Sequence, residues 1–391
     1  MKRYNFDEEV NREATNCIKW DAREEFFNSK DVLPLWVADM DFRTPDFIVD
    51  AIKKRAAHEV YGYTFRGESY YKAIITWMKQ QHDWEIKKEW ISFSPGVVTG
   101  LTFAIETFSS PGEEVIVQPP VYYLFFHSVK GSGRKLVENP LLNKNGRYYF
   151  DLDDLKNKIS TNTKILLLCS PQNPGGMVWS QDELKELTEI CLRKNVLIVS
   201  DEIHSDLAFS GFKHTPVATL SEEIALNSVT CMAPSKTFNT AGLASSLVII
   251  PDKRKFVRYE RTIGVGHIGM GNIFGTVAME AAYAHGAEWK KQMVRYLEGN
   301  YNLLENFFKS ELRHIKVMKP EGTYLVWLDF SYYGMKDREL SAYIIKKAKV
   351  GLNNGAWFGT GGDGWMRINI GCPRSILEEA LHRLKSAFDN M

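Results

Sequence analysis

Between residues 90 and 250 the chain alternates short unbroken apolar runs with stretches where apolar residues recur every three or four positions. Lys164-Ile165-Leu166-Leu167-Leu168-Cys169 is one such run, closed by Ser170-Pro171-Gln172-Asn173-Pro174-Gly175-Gly176. Val196-Leu197-Ile198-Val199 is another and ends in Ser200-Asp201-Glu202; Val115–Val117, Val229–Cys231 and Leu247–Ile250 have the same character. Runs of this length bounded by turn residues predict buried strands. Between the first two lies Ser180-Gln181-Asp182-Glu183, which has the form of a capping box. Leu184, Leu187, Ile190 and Cys191 follow it on one face of a helix. Continuous apolar strands alternating with amphipathic helices predict a mainly parallel α/β sheet covered on both faces. Such sheets bind ligands outside the carboxyl ends of their strands. Those ends carry Gln118-Pro119-Pro120-Val121-Tyr122, Asn173, Asp201 and Lys236.

Past residue 285 the texture changes. A long helical stretch from Trp289 to about Lys309 precedes Tyr324–Asp329, a helix, Trp365–Ile370 and a terminal helix, the pattern of a smaller α+β domain. The chain divides into an N-terminal segment 1–45, a large domain 46–285 and a small domain 286–391. No Ser/Gly-rich linker separates the parts, and no internal repeat is present.

Composition narrows the function classes. Of 391 residues, 44% are apolar, 13% aromatic and 25% charged, as in a soluble globular protein. A net charge of +1 supplies no global attraction to nucleic acid or to an anionic membrane. No apolar run approaches the roughly 18 residues of a membrane span, and the polar N-terminus lacks a signal-peptide core. The five cysteines are odd in number, dispersed and free of any C-x-x-C pair. They predict a reducing compartment, hence the cytoplasm, and argue against a zinc ribbon or disulfide framework.

Gly264-Val265-Gly266-His267-Ile268-Gly269 fits G-x-G-x-x-G, but a charged stretch precedes it where the dinucleotide fold needs a strand. It reads as a flexible loop near the site. Asp201-Glu202-Ile203-His204-Ser205-Asp206 has no second histidine at helical spacing, so no metal site is expected. Lys236 just past a buried strand is a surface residue if taken alone. With Asp201 and Asn173 at successive strand ends, it points instead to pyridoxal 5'-phosphate (PLP), which needs a lysine for its Schiff base and a carboxylate for its ring nitrogen. At an effective dielectric near 20, an ion pair at about 4 Å is worth roughly 4 kcal/mol, or about three pKa units. That suffices to keep the ring nitrogen protonated.

Four motifs then resemble, in order and spacing, the fold-type I PLP enzymes of the class I/II aminotransferase superfamily. They are Ser170–Gly176, Ser200-Asp201-Glu202-Ile203-His204, Ser235-Lys236-Thr237-Phe238-Asn239 and Arg367-Ile368-Asn369-Ile370-Gly371. Thr15–Asp21 and Leu33–Phe42 resemble more narrowly the branch of cystathionine β-lyases and C–S lyases of the MalY/PatB type. The resemblance implies a mainly parallel mixed sheet between helices and a smaller α+β domain, with the N-terminal segment packing on the small domain and the substrate site. It makes Lys236 the Schiff-base lysine and proton shuttle, Asp201 the partner of the ring nitrogen, and Asn173 a donor to the cofactor's phenolic oxygen and a substrate contact. Tyr122 stacks on the ring and takes part in catalysis, with Tyr123 the alternative for that role. Gly96, Val97 and Val98, opening a helix after Ser94-Pro95, suit the phosphate, and Ser235 adds a hydroxyl. Arg367 clamps the substrate carboxylate, beside Val37 and Ala38. Tyr61 reaches the neighbouring subunit's cofactor and active site, which implies a homodimer with shared sites; plain aromatic packing is its other reading. Two positions depart from the aminotransferase pattern: His204 stands where many relatives have tyrosine, and Ala244 where many have a phosphate-binding arginine. His204 is counted among the cofactor-binding residues.

The resemblance implies β-elimination from an S-substituted L-cysteine such as L-cystathionine, giving a thiol, pyruvate and ammonia. The same constellation serves transamination between an amino acid and a 2-oxo acid, which is the alternative. A binding role alongside catalysis is a third reading, from relatives coopted as regulators. The expected partners are a small amino-acid substrate and a second copy of the chain, with no nucleic acid and no membrane.

Overall fold

A computed structural model describes residues 2–389. At its centre is a seven-stranded sheet with the spatial order Ile91–Ser94, Ser246–Ile249, Ser228–Met232, Leu197–Asp201, Thr163–Cys169, Glu114–Val117, Lys135–Glu138. Every apolar run singled out in this region forms a strand. The last five strands in that order pair in parallel. Ser246–Ile249 runs antiparallel to both of its neighbours. The sheet is therefore mixed and mostly parallel.

Successive side chains on a strand point to opposite faces, so a sheet covered on both sides needs unbroken apolar runs. Val115, Val117, Ile165, Leu167, Val199 and Val229 enter one core. Ile116, Leu166, Leu168 and Ile198, their neighbours in sequence, enter the other. Each such side chain contributes about 1.5–3 kcal/mol on full burial. The helix Gln181–Arg193 starts at the expected capping box. The Ser180 hydroxyl accepts from the Glu183 N–H at 3.2 Å, and the Ser180 N–H donates to the Glu183 carboxylate at 2.8 Å.

The C-terminal part begins with the helix Ala287–Glu311 and carries an antiparallel sheet in the order Lys316–Val317, Leu325–Asp329, Trp365–Asn369, Asn353–Asn354. The helix Arg374–Phe388 ends it. Leu33–Pro34 pairs in parallel with Val350–Gly351, and the Asn369 N–H donates to the Leu35 carbonyl at 2.9 Å. One buried apolar cluster runs from Phe6 and Leu35 through Trp77 to Leu325 and Phe388.

The G-x-G-x-x-G run corrects an expectation. Its first two residues end the helix Lys253–Val265, and Gly266–Gly269 form the turns that follow it. The Gly269 carbonyl accepts from Arg66 at 2.7 Å, and none of the six residues lines the strand-end cavity. Among the described residues, no cluster of His, Cys, Asp and Glu has the makings of a metal site, and no helix is long and apolar enough to cross a membrane.

Candidate active site

The carboxyl ends of the parallel strands open into one cavity of about 190 Å³. A larger groove, about 720 Å³, lies between residues 51–58 and 277–285, but none of the strand-end residues reaches it. Chemistry, not size, therefore locates the site. Lys236, Asp201, Asn173, His204, Tyr122, Ser235, Gly96, Val97, Val98 and Ala38 all line the smaller cavity.

Lys236 sits on the single helical turn Ser235–Phe238, which follows the strand Ser228–Met232. Its Nζ donates to the Ala38 carbonyl at 2.6 Å. Burial, reinforced by the charge of Arg367, pulls the amine down to about 8 against the opposing charges of Asp39 and Asp201. Asp201 is the last residue of its strand, and its carboxylate accepts from the Ile203 N–H at 3.1 Å. Burial pushes this carboxyl up to about 7, because one amide and a distant lysine replace only part of the water it has lost. Among the described residues it forms no ion pair.

Arg367 lies on the central strand pair of the C-terminal sheet and is buried. Its guanidinium donates to Asn173 Oδ1 at 2.8 Å, to the Trp36 carbonyl at 3.0 Å and to Asn353 Oδ1 at 2.5 Å. Among the described residues it has no carboxylate partner, and its Nε has no hydrogen-bond partner. Burial lowers it to about 10. A buried, fully charged side chain held by neutral acceptors is completed by an anion.

His204 is buried, with its ring edge-on to Tyr324 at 6.0 Å between centroids and its Nδ1 unpartnered. Burial, then the charges of Lys236 and Arg367, hold the imidazole well below its usual range, so it is neutral. Burial likewise raises the Tyr122 phenol, which stays protonated. Tyr122 and Tyr123 pack at 5.0 Å; Tyr122 is the one that lines the cavity. The helix Val97–Phe108 points its N-terminus at the same space, with Gly96 as N-cap, and a Cβ on Gly96 would meet nothing within 4 Å.

Two residues expected at the site are not brought to it. Val37 is not among the residues that line the cavity; it packs against Phe27, Val32 and Trp36, and its carbonyl accepts from Asn369 at 2.6 Å. Tyr61 is exposed, donates its hydroxyl to the Ala56 carbonyl at 2.7 Å and packs near Phe274, so no single chain carries it to Lys236. Other residues enter that sequence reasoning left without a role. Ser245 lines the cavity with an unpartnered hydroxyl, and Ser246 and Ala241 lie beside it. They flank Ala244, where the expected arginine is missing, and a pair of serines before a strand was the available signal. Asp39, inside the Leu33–Phe42 motif, supplies the largest negative field on Lys236. Arg12 and Lys19 hold it in turn.

These residues fit PLP. The cavity offers an amine of lowered basicity, a buried carboxyl without a cationic partner, an unpartnered serine hydroxyl and histidine nitrogen, and open space at a helix N-terminus. Lys236 would hold the cofactor covalently and Asp201 would pair with its ring nitrogen. The first amides of the helix Val97–Phe108, with Ser235 and Ser245, would take the phosphate.

The profile of the family described as aminotransferase class I and II matches residues 30–384. Cystathionine beta-lyase PatB of Bacillus subtilis is 47% identical over 384 residues, covering 98% of this chain and 99% of its own length. A PLP-bound protein of Clostridium difficile 630, provisionally named an aminotransferase, superposes with a TM-score of 0.97 at 44% identity, covering 98% of this chain and 100% of that one. Cystalysin of Treponema denticola, which contains PLP, superposes at 0.95 with 36% identity over 100% of both chains.

Proposed function

We propose a function on one premise: the chain belongs to the aminotransferase class I and II family. It is a PLP-dependent carbon–sulfur lyase that eliminates a thiol from L-cystathionine or a related S-substituted L-cysteine. The observation that carries this reading is a buried Arg367 without a carboxylate partner, hydrogen-bonded to Asn173 of a cavity that also holds Lys236 and Asp201. An α-amino acid presents the carboxylate and the α-proton that this arrangement handles. The likeness to PatB, named a cystathionine beta-lyase, favours elimination over transamination.

Bound PLP supplies an electron sink for the electrons left when the α-proton departs. Arg367 holds the substrate carboxylate, and its bonds to Asn173, Asn353 and Trp36 fix the guanidinium plane. Lys236 takes the α-proton at Nζ; a basicity near 8 leaves a useful unprotonated fraction at neutral pH. Asp201, drawn to its charged form by a cationic ring nitrogen, stabilises that charge throughout. The Cβ–S bond breaks with its electron pair on sulfur, and Lys236 returns the proton to the leaving thiolate. The remaining enamine takes up water and yields pyruvate and ammonia.

The reading includes a homodimer with shared sites. Val60, Tyr61, Tyr63 and Phe65 are 67%, 57%, 97% and 84% exposed in the single chain, an apolar patch that a second copy would cover. Tyr61 in that patch is the residue assigned to the partner's cofactor. Division into segments 1–45, 46–285 and 286–391 belongs to the same reading, supported by the separate central and C-terminal sheets. A cytoplasmic location is supported by five cysteines that all lack a disulfide.

The test is pyruvate release from L-cystathionine by the PLP-loaded protein with no 2-oxo acid added. Sustained release over many turnovers is expected. Transamination would stall after one turnover without an acceptor, and that outcome would replace the lyase by an aminotransferase.

A further inference from the structure

Outside the cavity lining lies a second set of largely buried polar groups, around Asp206. Asp206 is 5% exposed, accepts from three donors and has a lysine ammonium close by. Thr237 Oγ1 donates to Oδ2 at 2.9 Å. His82 Nε2 and Trp77 Nε1 both reach Oδ1, at 2.9 and 3.1 Å, and Lys290 Nζ stands 3.9 Å from it. These donors pull the carboxyl down to about 2 despite its burial, so it is ionised and His82 Nε2 carries the proton. The three donors and the lysine come from three separate elements. Trp77 and His82 lie on the helix Glu68–His82, Lys290 on the helix Ala287–Glu311, and Thr237 on the turn that bears Lys236.

The position of Thr237 is what gives the cluster its reach. It is the residue next to Lys236 on a helix of only one turn, which has little stiffness of its own. Asn239, at the end of that turn, is tied to the backbone of Met40 and Phe42 on the cavity side. On the opposite side the hydroxyl of Thr237, fully buried, is tied to Asp206. Asp206 also lies two residues beyond His204, which lines the cavity itself. One buried carboxylate thus joins the segment carrying His204, the turn carrying Lys236 and two long helices.

We propose that Asp206 and Thr237 are positioning residues for Lys236: their hydrogen bond fixes the turn so that Nζ reaches both the cofactor carbon and the substrate α-proton. The inference rests on the PLP-dependent reading given above. A base held within hydrogen-bond reach of its proton gains much of its rate from placement, and a misplacement of about 1 Å can cost about 10²-fold. A bond whose hydroxyl is fully buried is suited to that task, because no water competes for the Thr237 side of it.

The test compares Thr237→Val, Thr237→Ser and Asp206→Asn with the unaltered full-length protein. Two readouts go beyond steady-state turnover. The first is the rate at which visible absorbance grows when PLP is added to the cofactor-free chain, which reports Lys236 reaching the cofactor. The second is the kinetic isotope effect of an α-deuterated substrate, which reports the proton step. Thr237→Val should slow both absorbance growth and kcat by about 10- to 100-fold, leave KM within about 2-fold, and raise the isotope effect. Thr237→Ser, which restores the hydroxyl, should return each to within about 3-fold, and Asp206→Asn should follow Thr237→Val. A valine variant with unaltered uptake and isotope effect overturns the proposal. So does a serine variant as impaired as valine, which would assign the role to methyl packing. Failure of the unaltered protein to take up PLP at all would instead overturn the reading on which the inference rests.

Discussion

Arg367 and Asn173 share a 2.8 Å hydrogen bond that joins the C-terminal antiparallel sheet to the loop closing a central parallel strand. The two residues lie far apart in sequence, and neither element alone makes a site. The bond aligns an arginine without a carboxylate partner with a residue that lines the Lys236 cavity. On the proposed reading, a substrate carboxylate bound there would be oriented with respect to Lys236 before chemistry begins.

Replacing Arg367 tests that alignment. Arg367→Ala should lower kcat/KM by about 10²-fold, since charge-assisted bonds of this kind are worth about 1.5–3 kcal/mol. Arg367→Lys should recover little, because an ammonium cannot reproduce the planar fork that reaches Asn173, Asn353 and Trp36 at once. Steady-state kinetics with L-cystathionine decides the matter, and a lysine variant of normal efficiency would remove the bidentate argument.

Lys236→Ala and Asp201→Asn separate two roles. The alanine variant should lose turnover and also the visible absorbance of bound cofactor, because nucleophile and base are then absent together. The asparagine variant should keep its colour and lose at least about 10²-fold in kcat, since only the charge opposing the ring nitrogen is gone. Spectra and rates on the same samples suffice. Near-normal turnover in either variant contradicts the assigned role.

The lowered basicity of Lys236 gives a pH dependence of definite sign. Below about 8 the amine is mostly protonated and has no lone pair to react; above it, the nucleophilic form predominates. The rate of PLP uptake by cofactor-free protein should therefore rise with pH and level off above about 8, well short of the usual lysine value. An uptake rate still climbing at pH 10 would mean that burial does not act on this amine as described.

The exposed aromatic patch predicts the assembly state. Phe65→Glu combined with Tyr63→Ser places a charge and a small polar residue where a second copy would pack. Sedimentation should show a dimer for the unaltered chain and a monomer for the double variant. Activity should be lost together with the dimer if, as proposed, Tyr61 acts across the contact. A fully active monomer would leave Tyr61 as ordinary packing beside Phe274.

Much of this was legible in the sequence, for reasons that differ between residues. Thr163–Cys169 and Leu197–Asp201 were visible because strands buried on both faces leave unbroken apolar runs. Asp201 and Lys236 stood out because a charged residue at the end of such a run needs a reason to be there. The direction of Ser246–Ile249 was not visible, since an apolar run reads the same either way. Asp39, Asn353 and the Trp36 carbonyl were missed because their roles depend on pairing between distant segments, and a backbone carbonyl leaves no mark in composition. Tyr61, expected at the site, lies exposed beside Phe274 instead. Asp206 escaped notice for a further reason: its significance comes from Thr237 lying on the hidden side of the lysine turn.

The pairing of Leu33–Pro34 with Val350–Gly351 also sets an order of events during synthesis. The two segments are roughly 300 residues apart, and the carbonyl that receives Lys236 belongs to Ala38, a few positions beyond the first of them. On a growing chain the early segment waits for partners that have not been translated, which at about 5–20 residues per second takes tens of seconds. Until the last sheet arrives, the segment that supplies the lysine's acceptor is held only by contacts such as those of Asn239 with Met40 and Phe42. Catalytic competence is thus a property of the nearly finished polypeptide, and chains broken off early carry the reactive amine without the enclosure that directs it.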